Sequence, residues 1–77
     1  MIGLLEMAHI ELSKTMYSER ALRQAIEAYR SIVRIVLDAN ATYWILSFSD
    51  CIYAPNETIY EFENYLVSLE AGIHYGL

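Results

Sequence analysis

The 77-residue chain predicts an α+β fold, a two-layer sandwich in the order β-α-β-β-α, with two helices on one face of a three-stranded sheet. Three observations carry that reading. Ala8, Ile10 and Leu12 alternate with His9 and Glu11, the period-two signature of a half-buried strand. Two stretches, opening near Ser18 and near Pro55, repeat apolar residues at helical spacing. Between them, two alternating runs meet at a short Asp- and Asn-containing segment, the pattern of a hairpin.

The first helix begins at Ser18, an N-cap residue, with Tyr17 before it and Leu22 four positions on as a hydrophobic staple. Glu19 in the first turn suits the helix dipole. Leu22, Ala25, Ile26 and Tyr29 share one face, while Arg20, Arg23, Glu27, Arg30 and Ser31 cover much of the rest. Arg23 and Glu27 stand at i,i+4 and predict an exposed pair. Near Ile32 the period changes, because Val33, Ile35 and Leu37 alternate with Arg34, Val36 and Asp38. Asp38 to Ala41 is the turn candidate, since Asp and Asn favour turns. The next strand runs from about Thr42 to Asp50, with Trp44, Leu46 and Phe48 inward and Tyr43, Ile45, Ser47 and Ser49 outward.

Pro55 opens the second helix, at its first position or just before an Asn56 cap. Ile59, Phe62, Leu66, Leu69 and Ile73 recur at spacings of 3, 4, 3 and 4, a seam that packs on the sheet or the first helix. Gly72 is a C-terminal cap candidate. The predicted core contains Leu22, Ile26, Trp44, Leu46, Phe48, Phe62 and Leu66. The right-handed crossover rule favours parallel first and second strands, which leaves the first strand either beside the second or beyond the third. The outward sheet face carries His9, Glu11, Arg34, Val36, Tyr43, Ile45 and Ser47, and is more apolar than a bare solvent face. Val36, Tyr43, Ile45, Tyr60 and Tyr65 are accordingly the interface candidates, with pairing of Val36 to Tyr43 or Ile45 across the hairpin as the alternative explanation.

Residues 1–77 form one domain at most, with Met1 to Glu6 a lead-in and His74 to Leu77 a frayed tail. A chain this short buries only roughly 60–65% of its unfolded surface. Its single cysteine, Cys51, allows no intrachain disulfide, and neither His9 nor His74 has zinc-type spacing to it. Self-association, as a dimer or as a subunit of a complex, is the supplement left to a chain that is 56% hydrophobic with seven tyrosines. The first 34 residues hold every basic side chain, namely Lys14, Arg20, Arg23, Arg30 and Arg34, whereas residues 35–77 hold six carboxylates. A net charge of −5 argues against nucleic acid, despite the local basic set Arg23, Arg30 and Arg34. No stretch reads as an export signal or a membrane span, so a cytoplasmic protein is the default expectation.

Catalytic chemistry finds little in the sequence. Cys51 lacks a neighbour that would lower its thiol pKa, and Asp50 beside it disfavours the thiolate. Glu57, Glu61 and Glu63 offer carboxylates, but no Glu-x-x-His pair accompanies them. Gly3, Gly72 and Gly76 are too scattered for a phosphate loop. No catalytic residue, metal site or cofactor is therefore assigned.

One family pattern matches this order of elements. Ile10-Glu11-Leu12, then Tyr17-Ser18-Glu19-Arg20-Ala21-Leu22 and Ala25 to Tyr29, then Glu61 to Leu66 resemble the small HxsD proteins of His-Xaa-Ser peptide-modification systems across about residues 8 to 71. Tyr65 stands where that family carries Asp, and Ser68-Leu69-Glu70 lacks its Arg. The resemblance implies an accessory protein encoded beside radical-SAM enzymes that modify peptides. The expected function is thus a small non-catalytic accessory or protein-interaction module. The alternative is a small enzyme or ligand-binding protein whose site forms between subunits from His9, Cys51 and a neighbour's carboxylate.

Overall fold

The computed structural model describes residues 8–75. It contains β1 (Ala8–Ser13), α1 (Glu19–Ala28), β2 (Arg34–Ala39), β3 (Tyr43–Ser49) and α2 (Pro55–Tyr75), the predicted order of an α+β sandwich. The sheet order is β1-β3-β2, and β3 pairs antiparallel with both neighbours. β1 and β2 therefore run parallel without touching, and β1 lies beyond the third strand. Antiparallel ladders are slightly more stable per residue than parallel ones, and placing β3 between β1 and β2 exchanges the parallel β1–β2 pair for an antiparallel β1–β3 pair.

The hairpin turn is shorter than the sequence indicates. Asp38 and Ala39 belong to β2, opposite Ile45 and Trp44, and the turn begins at Asn40. The Asn40 side-chain oxygen accepts the amides of Thr42 at 2.8 Å and Tyr43 at 2.7 Å, while the Asn40 amide donates to the Tyr43 carbonyl at 3.0 Å. One asparagine thus satisfies the tight return, and Asp38 is left to the ladder.

One sheet face carries the rows Ala8–Phe48–Ile35, Ile10–Leu46–Leu37 and Leu12–Trp44–Ala39. Both helices cover this face. Leu12, Leu46 and Phe48 from the sheet, Ala21, Leu22 and Ala25 from α1, Val33, and Phe62 and Leu66 from α2 form the buried core. The small Ala21 and Ala25, fully buried, let α1 sit close. Phe62 is the centre of an aromatic cluster, edge-on to Phe48 at 5.3 Å and to Tyr29 at 5.5 Å. Burying such a side chain contributes about 1.5–3 kcal/mol. Two predicted core residues, Ile26 and Trp44, are only half-buried. Trp44 lies at the margin because its indole N–H donates to the Tyr17 carbonyl at 2.9 Å and Lys14 Nζ sits 4.8 Å from its ring centroid. An indole with a polar handle belongs at such an edge.

The start of α1 is held from two sides. Ser18 Oγ accepts the Ala21 amide at 3.2 Å, as an N-cap should. The Ser18 amide and hydroxyl both donate to Glu70 Oε1 of α2, each at 3.1 Å. In a capping box the carboxylate comes from the third helical residue. That residue is Ala21 here, and Glu70 supplies the missing acceptor from 52 residues away. Arg23 pairs backward with Glu19 at 2.8 Å, and Glu27 pairs with Arg30 at 3.2 Å, so the Arg23–Glu27 pair does not form. α1 ends at Ala28, where the Tyr29 carbonyl accepts the amides of Ile32 and Val33 and turns the chain into β2.

At the other end, α2 runs through Gly72, the predicted cap, to Tyr75. Glycine costs only about 1 kcal/mol inside a helix, so it permits an end without requiring one. The backbone of His74 is therefore helical. The lead-in Met1 to Glu6, the last two residues of the tail and the side chain of Ile73 lie outside the described residues. Among the described residues, no helix is long and apolar enough to cross a membrane.

Candidate functional site

Alternation along the strands sends every second residue to the face that neither helix covers. Its rows are Arg34–Ser49, Val36–Ser47–His9, Asp38–Ile45–Glu11 and Tyr43–Ser13. Val36 is 52% exposed and Tyr43 39%, and Ile45 between them is half-buried. Val36 faces Ser47, not Tyr43 or Ile45, so the expected apolar cross-strand pair is absent; Val36 and Ile45 are diagonal neighbours instead. Arg34 and Asp38 on β2 and Glu11 on β1 border this diagonal, and charge on outer strands resists uncontrolled strand addition. His9 Nδ1 lies 3.0 Å from Ser47 Oγ on the same face. The result is an apolar strip with a polar rim.

The five interface candidates do not form one surface. Val36, Tyr43 and Ile45 share the open sheet face, whereas Tyr60 and Tyr65 lie on α2 in the opposite layer. Tyr60 is 66% exposed. Tyr65 is engaged with the fold, because its ring stands 5.9 Å from that of Tyr29 and bridges the two helices.

On the helical side, Tyr29, Ile32, Tyr53, Glu57, Thr58 and Glu61 line a cleft of about 270 Å³. It lies where the chain leaving α1 meets the first two turns of α2. Thr58 is buried, and its hydroxyl donates to the Ala54 carbonyl at 3.0 Å. Burial pushes the Tyr29 phenol above its ordinary pKa, and the charges of Glu61 and Tyr65 add to that shift. Glu63, on the same helix, does not line the cleft. Glu57 and Glu61 are exposed, and the sequence alone does not place them beside Tyr29 and Tyr53. The available signal was two large apolar residues just before Pro55, and both are strongly exposed.

The remaining candidates are apart. Cys51 is half-buried and packs against the core, whereas His9 is on the opposite sheet face, so one chain does not bring them together. The side chain of His74 lies outside the described residues. Among the described residues, no group of three His, Cys, Asp or Glu side chains is placed to hold a metal ion. Arg23 and Arg30 are committed to Glu19 and Glu27, and Arg34 stands on β2, so the three arginines do not make one stripe. No family of known proteins matches the chain, and no curated protein or solved structure matches it either.

Proposed function

We propose that this chain is a small non-catalytic interaction module that docks through the open face of its sheet, with a second copy as the first partner. The observation that carries the reading is the exposed Val36–Ile45–Tyr43 strip on a face that neither helix covers. Aromatic and branched side chains framed by charge are the make-up of an interface centre with a polar rim. A three-stranded face is small against the roughly 800 Å² per partner of a standard interface, so the association is reversible. The resemblance to HxsD proteins supports a role as accessory subunit to a peptide-modifying radical-SAM system, in which the same strip would meet the larger enzyme.

Light scattering over a dilution series tests the reading. The parent chain shifts from monomer toward dimer as concentration rises. A Tyr43→Ser, Ile45→Asp double variant stays monomeric at every concentration, with an unchanged far-ultraviolet circular dichroism spectrum. A parent that remains monomeric, or a variant that associates like the parent, removes the face from the interface.

A further inference from the structure

The cleft beside Tyr29 is independent of the open sheet face and has its own chemistry. Its walls are two tyrosines from different elements, Tyr29 after α1 and Tyr53 before α2, with Ile32 as an apolar wall and Glu57 and Glu61 at the rim. No Lys, Arg or His lines it. Glu57 and Glu61 form no ion pair among the described residues, although other carboxylates do. Carboxylates accept hydrogen bonds only, and the Thr58 hydroxyl has already given its proton to Ala54. The tyrosine hydroxyls can donate or accept, so the fixed charge of the lining is negative and favours a ligand with positive charge.

Other features point the same way. α1 ends beside the cleft with no basic residue in its last turn, and Arg30, which follows the cap, pairs with Glu27 and does not line the cleft. Glu57 in the first turn of α2 opposes the positive end of that helix. The upward shift of the Tyr29 phenol, due in part to Glu61, reflects the same negative potential. Aromatic walls attract cations through the ring quadrupole.

We propose that this cleft binds an alkylguanidinium group, the head of an arginine side chain. Its volume of about 270 Å³ lies below the range of sites for drug-sized ligands and suits one long side chain. Two carboxylates one helical turn apart match the planar donor fork of a guanidinium, which also stacks on aromatic rings. Among the described residues, no third His, Cys, Asp or Glu joins Glu57 and Glu61 in a group placed to hold a metal ion.

The test is a titration of the isotopically labelled full chain, followed by backbone amide shifts. The probes are N-acetylarginine methylamide, free L-arginine and the neutral isostere N-acetylcitrulline methylamide. The blocked arginine gives saturable shifts centred on Tyr29, Tyr53, Glu57 and Glu61, with a Kd on the order of 1–10 mM. The citrulline analogue gives none at the same concentrations. Tighter binding of the blocked compound than of free arginine assigns the site to peptide-borne side chains, because only the blocked compound carries the amides of a peptide; the reverse order assigns it to the small molecule. Glu61→Gln weakens binding about tenfold, the effect of losing one charge-assisted contact. Tyr53→Ala, at a largely exposed position, weakens it as well, while the Tyr43→Ser, Ile45→Asp variant binds like the parent, which separates this site from the sheet face. Absence of saturable shifts, equal binding of the citrulline analogue, or a Glu61→Gln variant that titrates like the parent overturns the proposal.

Discussion

Removing Glu70 should loosen the start of α1, although Glu70 belongs to another helix. Its Oε1 takes both the Ser18 amide and the Ser18 hydroxyl at 3.1 Å, in a partly buried setting. Hydrogen bonds to a charged group contribute about 1.5–3 kcal/mol each when shielded. Partial exposure and the water that replaces the carboxylate reduce the sum for Glu70→Ala to about 1.5–2 kcal/mol. Glu70→Gln keeps an acceptor and should cost about half as much. At about 4–8 °C per kcal/mol for a domain of this size, Glu70→Ala lowers Tm by roughly 6–16 °C. Ser18→Ala keeps the amide donor and loses the cap, a cost of about 1 kcal/mol plus the hydroxyl bond to Glu70. A double-mutant cycle between Ser18→Ala and Glu70→Ala should return a coupling of about 0.5–1 kcal/mol. Urea denaturation monitored by circular dichroism measures all four corners. A Glu70→Ala cost below about 0.5 kcal/mol, the scatter expected of an exposed position, refutes the shared cap. So do strictly additive single variants.

Two further predictions concern Tyr29 and Asp50. Because the folded-state pKa of Tyr29 is raised, the unfolded chain releases that proton first, and its contribution to stability is complete below pH 10 and lost as pH rises through the folded value. The parent should therefore lose more stability between pH 9 and 11 than Tyr29→Phe in chemical denaturation, and equal losses would contradict the shift. Asp50, just after β3, holds a φ of 54°, which Asp tolerates and a branched residue does not. Asp50→Val should cost about 1–2 kcal/mol and Asp50→Gly close to nothing, so equal unfolding midpoints for the two variants would argue against the left-handed conformation.

The sequence carried the elements because each rests on local chemistry. Ser18 caps α1 wherever the helix packs, Asn40 closes the hairpin with its own side chain, and Trp44, Leu46 and Phe48 define one face of β3 by alternation. Alternation also separated the open face, so Val36, Tyr43 and Ile45 were legible as one group. Helical periodicity put Phe62 and Leu66 in the core.

What the sequence left undecided depends on contacts distant in the chain. The position of β1 beyond β3 follows from which edges pair, and strand patterns are alike for either order. The division of the five interface candidates between two layers follows from the direction in which α2 lies, and only packing fixes that. No local pattern marks Glu70 as a capping group, because its partner is 52 residues away. Glu57 and Glu61 are exposed, as their spacing indicates, but the walls of their cleft, Tyr29 and Ile32, come from the segment leaving α1. Periodicity and capping are properties of a few consecutive residues and can be read along the chain; strand order, a borrowed cap and a cleft exist only once separate segments meet.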